Sequence, residues 1–446
     1  MYEMDRLAYG LKDAVLGWHL SANKAFLADG WIPGIQDPLH YNLYREDEEE
    51  TAYYLDHETR MEELALVTYA PNRSMLNGSS SLHVDDTLAT GPPEVLDWLY
   101  QRLKEQFGDV KRHNKSFRHF GMDITQTLEE DVGDDAAIVY SQTDYIATLQ
   151  PVIIHTRRGD GRTAETHLTP PEITDYRSLT CGIAWVGMTC VWAQSAASIY
   201  QSFLPTPTIA QARKLNTFLE QLVDTYVPLT YRRSFFTGMP PNTNLRYILF
   251  TDSSFANTKG HYPQACQLLF LTYDLDSTLD SLPLLLVFFN GSKSHRVAKS
   301  THAAETLAAV KGVERASRYQ EWWLEAHEPV QHPRALMSVP SSYLIPVDLI
   351  VDCDDLYQNM IQPAVGSQQD AQMAVYVSAL RHDIATGRIR GRFWIPTEDM
   401  LANAGTKIDP DGTAPLQGLP TVLSSGRYHI SSWYHHDGHE CRSMEQ

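Results

Sequence analysis

The sequence predicts a protein of mixed class: an α+β segment first, then a mainly helical stretch, then an α/β layer. Three observations predict it. In the first 150 residues two β-forming runs, Ser81–Val84 and Thr87–Thr90, flank a pair of aspartates, Asp85 and Asp86, and end at Gly91. Residues 176–230 read as helices, with Pro205 and Pro207 separating two of them. From about residue 244 the pattern alternates. Strand-like runs at 245–251, 266–273 and 282–289 precede a helix at about 303–325, a strand at 347–352, a helix at 371–384 and a strand at 389–395. Three strands, a helix, a strand, a helix and a strand make an α/β layer order.

The earlier elements follow from spacing. Residues 4–30 place Leu7, Leu11, Val15, Trp18 and Leu20 near helical period and close at Gly30. Strand-like runs follow at 39–44 and 64–69, separated by nine acidic residues and two arginines between Arg45 and Glu63, a solvated loop by composition. The Asp-Asp hairpin comes next, then a helix at 92–107 and a strand-like run at 120–127. Polar, basic residues 156–169 suggest a boundary near 150–175. Beyond Asp409 the chain is rich in Gly, Pro and Ser and ends in histidines, His429, His435, His436 and His439, with no zinc-ligand spacing, so a disordered tail is expected.

Bulk composition narrows the function classes. A chain of 446 residues with 43% hydrophobic and 20% charged content should hold two to four globular domains. No apolar run approaches the ~20 residues a membrane span needs, and residues 1–6 have no secretory or transit character, so a cytoplasmic or nuclear protein without membrane contact is expected. Five widely spaced cysteines without a Cys-x-x-Cys argue against a disulfide framework or structural zinc. The net charge of -19 argues against broad, nonspecific polyanion binding unless positive charge is concentrated locally. Residues 245–407, however, carry 17 acidic and 14 basic residues, with basic clusters at 293–299 and 381–392. Nucleic-acid contacts are expected there, from Lys293, Arg296, Arg388, Arg390 and Arg392.

The carboxylates carry the chemistry. Phosphoryl transfer on nucleic acid uses divalent cations held by hard oxygen ligands, often two ions about 3.5–4 Å apart. Asp85 and Asp86 at a hairpin tip could hold such ions. Asp252 at the end of a strand, Glu305 at the start of a helix, and Asp352 or Asp354 at the end of another strand could converge on a second site. Capping aspartates and a glutamate favouring the helix dipole account for the same residues without any metal.

These residues fall in a colinear series of short motifs. Tyr9-Gly10-Leu11-Lys12 with Ala14 and Trp18 is followed by Gly30-Trp31, Asp37-Pro38, His83-Val84-Asp85-Asp86 with Thr90-Gly91, and Phe120-Gly121-Met122-Asp123-Ile124. Then come Ser141-Gln142, Tyr176-Arg177-Ser178-Leu179, Thr251-Asp252-Ser253, Ser292-Lys293-Ser294, Ala304-Glu305, Cys353-Asp354-Asp355, Pro396-Thr397-Glu398-Asp399-Met400-Leu401-Ala402-Asn403 and Thr406-Lys407. Over roughly residues 4–407 the chain resembles the reverse transcriptase–RNase H region of copia-type LTR retrotransposon polyproteins. The resemblance implies an α+β polymerase palm fragment with thumb (1–150), a linker and helical connection (151–243), an α/β RNase H-like domain (244–408) and a tail (409–446). It assigns metal binding to Asp85 and Asp86 in the palm. In the RNase H-like domain it assigns two Mg²⁺ or Mn²⁺ ions to Asp252, Glu305 and Asp354, favouring Asp354 over Asp352. The implied substrate is RNA in an RNA–DNA hybrid.

The chain departs from the family at three places. No aspartate-bearing strand of the polymerase kind, and no fingers region, precedes Tyr9, so this polypeptide by itself is not expected to polymerise DNA, and the upstream polyprotein portion would be a partner. The polymerase tyrosine is His83, and the residue after Lys12 is Asp13. Asn403 stands where the family has its fourth RNase H carboxylate, contributing an oxygen without charge. The alternative to an RNase H is a catalytically dead remnant that only binds nucleic acid, or a relic with no function.

Overall fold

This computed structural model describes residues 14–34, 37–44, 76–83, 86–128, 132–155, 161–240, 243–255, 258, 262–273, 281–327, 344–362, 371–429, 432–434 and 440–443. The Tyr9–Lys12 segment, Asp13, the acidic loop, the run at 64–69, Asp85, and His435, His436 and His439 lie outside the described residues. Two units can be distinguished: residues 1–114 with 317–345, and residues 115–316 with 346–446.

In the first unit a helix, α1 (Ala14–Ala28), ends in a turn at Gly30, whose φ of +82° suits a residue without a Cβ. Strands β1 (Ile32–Pro33), β2 (His40–Tyr44), β3 (Leu76–His83) and β4 (Asp86–Thr90) form an antiparallel sheet in that order. The expected hairpin is present: β3 and β4 pair from Ser79↔Thr90 to His83↔Asp86 around a two-residue loop. Helix α2 (Pro93–Phe107) starts with proline at its first turn, where a missing N–H is harmless. Ala22 and Phe26 of α1, Trp31, Tyr41, Leu82, and Val95 and Leu99 of α2 form the core.

The second unit begins with an antiparallel sheet of β5 (Ser116–His119), β6 (Met122–Gln126), β7 (Ala137–Ser141) and β8 (Leu229–Arg232), in that order. The run expected as one strand from 120 is instead a hairpin. Phe120 and Gly121 both take positive φ (56° and 71°), the pairing turn that matches strand twist, and His119 faces Met122 across it. Between β7 and β8 lie helices α3 (Pro170–Val186), α4 (Val191–Gln201) and α5 (Ile209–Thr225). Thr169 with Glu172 and Thr208 with Gln211 cap α3 and α5 reciprocally.

A larger sheet follows. Strands β9 (Leu245–Ser254), β10 (Gln264–Tyr273), β11 (Ser281–Pro283) and β12 (Leu285–Lys293) precede α6 (Thr301–His327), of which residues through 316 belong to this unit. Then come β13 (Val347–Val351), α7 (Asp354–Ile361), α8 (Ala371–Ala385) and β14 (Ile389–Trp394). The chain continues through a 3₁₀ turn at Leu401–Gly405, α9 (Leu419–Ser425), β15 (Arg427–His429), β16 (Ser432–Tyr434) and β17 (Glu440–Ser443). Sheet order is β12-β10-β9-β13-β14-β16-β17, with β9, β13 and β14 parallel neighbours and β10 and β12 antiparallel additions. The predicted strand–helix order holds. The short helix α7 is an addition to it, seeded by Asp354 and Asp355 in its first turn.

Both faces of β9 and β10 are covered, which explains their near-continuous burial. On one face Gly312 of α6 brings the helix backbone against Leu249, Thr251 and Gln267. On the other, Ser198 Oγ of α4 donates to Gln264 Oε1 (3.1 Å), and the Gly291 N–H donates to Gln194 Oε1 (2.6 Å). Two expectations therefore change. The helical stretch 151–243 and the strands from 244 share one hydrophobic core, containing Ile183, Trp192, Phe218, Phe250 and Phe270, and are not separate domains. The segment from 409, expected to be disordered, is folded through residue 429: Leu419, Val422 and Tyr428 bury their side chains in that core, and β15 pairs with β11.

Tyr428 anchors this return of the chain. Its ring meets Phe250 edge-on (centroids 5.5 Å apart), and its hydroxyl donates to the Asp399 carbonyl (2.8 Å). We expect Tyr428→Ala to cost about 3–5 kcal/mol and Tyr428→Phe only about 1 kcal/mol in urea unfolding of the full chain. An alanine variant as stable as the parent would remove 409–429 from the core.

Candidate metal centre

Parallel strands present their carboxyl ends at one edge of a sheet, where side chains from several elements can meet. Asp252 lies near the end of β9, and β13 runs beside it with Ile350 opposite Phe250. Carrying that register forward two residues sets Asp352, just past β13, beside Asp252. Glu305 enters from the second turn of α6. Carboxylate oxygens of Asp252, Glu305 and Asp352 all lie within 4.8 Å of one another, the one such cluster of metal-capable side chains among the described residues.

This gathers two of the three expected ligands and replaces the third. The match at Cys353-Asp354-Asp355 favours Asp354, and alternation of 352 and 354 on one strand face would let either carboxylate reach the site. The strand stops at Val351 and Asp354 opens α7, so the alternation is broken. Asp354 is exposed, with Oδ1 accepting from Gln358 Nε2 (3.1 Å), and the carboxylate that joins the cluster is that of Asp352. In the first unit Asp86 is exposed at the start of β4, and Asp85 lies outside the described residues.

The cluster is buried. Asp252 is 2% exposed and Glu305 4%, so removal from water dominates their protonation. Burial raises the Asp252 carboxyl, against the opposing pull of the Thr406 hydroxyl and the Lys407 charge. Burial, then the charges of Asp252 and Asp352, hold Glu305 well above the carboxylate range. Burial, followed by repulsion from Asp252, pushes Asp352 up to about 6. The compensation is small and specific. Thr406 Oγ1 donates to Asp252 Oδ2 (2.6 Å) and the Ser253 N–H donates to Glu305 Oε1 (3.2 Å). Glu305 Oε2 is buried with no hydrogen-bond partner.

Asn403 and Lys407 complete the surroundings. Asn403 is buried in the 3₁₀ turn; its Nδ2 donates to the Thr397 carbonyl (2.8 Å) and its Oδ1 accepts from Lys407 Nζ (2.9 Å). Ser254 Oγ donates to the Thr406 carbonyl (2.7 Å), tying this segment to the end of β9. Sequence reasoning saw Thr406-Lys407 as a motif match only. Their part in the site needed the contact between the 3₁₀ turn and β9, which no local pattern reveals.

The basic residues divide by edge. Gln264 of β10 faces both Ser254 of β9 and Lys293 of β12, so Lys293 lies at the same edge as the carboxylates, two strands away. Its ammonium sits over the Tyr262 ring (4.6 Å), and Arg296, exposed, stacks on Tyr376 (5.5 Å). Arg388 and Arg390 flank the opposite end of the parallel strands, where Ile389 faces Val347. Arg390 Nε lies 3.9 Å from Asp348, which also accepts from Arg246 (2.8 Å). Of the five basic residues expected to contact nucleic acid, Arg388 and Arg390 thus stand at the end of the strands away from the carboxylates. Arg392 lies between, opposite Leu349.

A divalent ion fits this donor set. Three hard oxygens converge, one buried oxygen lacks a donor, and all three carboxyls are held above their ordinary range by burial and, for Glu305 and Asp352, by one another's charge. No protein-family model matches the chain, and no curated protein matches its sequence.

Raised carboxyl pKa values mean that the folded, metal-free chain keeps protons which the unfolded chain releases. Stability should therefore be full below the ordinary carboxylate range, near pH 4, and fall as pH rises through about 6. We expect Glu305→Gln to raise the metal-free melting temperature at pH 8 and to flatten the pH dependence, because the variant has no charge to bury. Calorimetry with chelator present checks this; a glutamine variant no more stable than the parent at pH 8 refutes the electrostatic reading.

Proposed function

We propose that this chain derives from the copia-type reverse transcriptase–RNase H region of a retrotransposon, and that its second unit hydrolyses RNA in RNA–DNA hybrids. The observation that carries the reading is the meeting of Asp252, Glu305 and Asp352 at the carboxyl edge of parallel strands, around an oxygen with no donor. The sequence resemblance called for carboxylates on the first strand, the first long helix and the fourth strand, and the cluster fits that plan once Asp352 takes the place of Asp354.

Asp252, Glu305 and Asp352 would hold Mg²⁺ or Mn²⁺. Such an ion, when bound, polarises a phosphate and lowers the pKa of attacking water. The chain's own residues set the rest. Thr406 fixes the Asp252 carboxylate by its hydrogen bond, and the Ser253 backbone N–H orients Glu305. Lys293 and Arg296 stand near the same edge, as hybrid phosphates require, with Tyr262 and Tyr376 holding the cations in place. Among the described residues no helix is long and apolar enough to cross a membrane.

The test is release of labelled fragments from an RNA–DNA hybrid with Mg²⁺ or Mn²⁺. Asp252→Asn, Glu305→Gln and Asp352→Asn should each lower cleavage on the order of 100-fold or more. Asp354→Asn should stay within about threefold of the parent, as an exposed substitution does. Loss of activity in Asp354→Asn with retention in Asp352→Asn would reverse the ligand assignment. Salt-dependent hybrid binding without any cleavage would select the nucleic-acid-binding remnant instead.

A further inference from the structure

Lys407 directly follows Thr406, whose hydroxyl is bonded to Asp252, and it is held in place: its Nζ donates to Asn403 Oδ1 at 2.9 Å, and Thr406 is also tied to β9 through Ser254. From there its charge favours ionisation of all three carboxylates. Asn403 is 1% exposed and has both ends of its amide engaged, with Thr397 and with Lys407. Its oxygen is thus turned to the ammonium rather than offered as a further ligand.

We propose that Lys407 is a built-in cation of this centre, positioned by Asn403, so that the site takes one divalent ion rather than the pair that the resemblance implies. The inference rests on the metal-dependent reading above and deepens it. Three carboxylates and one ammonium leave two negative charges, which a single divalent ion neutralises. A second divalent ion would leave two positive charges in a site whose ligands are nearly removed from water, where uncompensated charge is most costly. An asparagine at 403 keeps that balance; an aspartate would leave three negative charges, one fewer than a pair of divalent ions neutralises, so the site would still take one.

The experiment counts ions by calorimetric titration with Mn²⁺ on the full chain, with electron paramagnetic resonance to detect coupling between neighbouring Mn²⁺ ions. The parent should bind one ion with no Mn–Mn coupling. Asn403→Asp should also bind one. Lys407→Met should bind its first ion at least about 10-fold more tightly, since a like charge has left the site. The double variant Asn403→Asp with Lys407→Met should bind two coupled ions. Lys407→Arg, which keeps the charge, should behave as the parent and guards against a purely structural effect of the methionine.

Two coupled ions in the parent would overturn the proposal while leaving the nuclease reading intact. Unchanged affinity in a folded Lys407→Met variant would also overturn it. Failure of the parent to bind any Mn²⁺ would overturn both.

Discussion

The structure of the second unit turns on one constraint: three carboxylates, two of them almost fully buried, are held within a few ångströms of each other. Burying one ionised carboxylate without a partner is costly, and repulsion between neighbours adds to that. Native stability is only about 5–15 kcal/mol, so such a cluster survives only if surrounding contacts over-determine it. Those contacts are present. Strands β9 and β10 are sealed on both faces, α4 is hydrogen-bonded to β10 and β12, and Ser195 Oγ donates to the Gly405 carbonyl (2.6 Å), holding the 3₁₀ turn from below. The 3₁₀ turn in turn supplies Thr406 and Lys407. Packing in the core fixes the polar atoms at the edge.

The two ends of the same parallel strands show opposite solutions to buried charge. At the amino end, Asp348 is 1% exposed but paired with Arg246, and Arg390 approaches as well. That arrangement is electrically closed, and it serves as structure. At the carboxyl end the same strand leads to Asp352, which has carboxylates for neighbours and, among the described residues, the Thr397 hydroxyl and the Lys407 charge to favour its ionised form. The difference between a paired and an under-compensated charge separates the scaffold from the candidate site more sharply than burial does, since both ends are buried.

Much of the larger sheet was legible in the sequence because periodicity and β-branched runs mark strands and helices locally. The order of strands and helices from 245 onward, the position of Glu305 at a helix start and that of Asp252 near a strand end were all readable. The third carboxylate of the cluster was not. Choosing between Asp352 and Asp354 required knowing that β13 stops at Val351, and strand ends are set by the helix that follows as much as by the strand. Which end of the sheet the arginines near β14 occupy was not readable either, because that depends on which strands run parallel. The segment after 409 misled through composition. Its Gly, Pro and Ser content suggested a tail, yet Leu419 and Val422, one helical turn apart, with Tyr428 beyond, carry enough apolar surface to bring it back to the core.

Proton and metal binding at the carboxylate cluster are two views of one free energy. Carboxyls held above their ordinary range must lose protons before they can serve as ligands, so an ion entering at neutral pH displaces protons and its affinity rises with pH. The same rise in pH weakens the metal-free fold, because ionised carboxylates then repel without compensation. The two tendencies reinforce each other: conditions that destabilise the empty cluster are those in which an ion stabilises it most. Lys407 moderates both. Its charge favours ionisation of the carboxylates, which eases release of their protons, and it repels an arriving cation. A lysine fixed by an asparagine amide is therefore a compromise between a fold that must stand without metal and a centre that can still take it up.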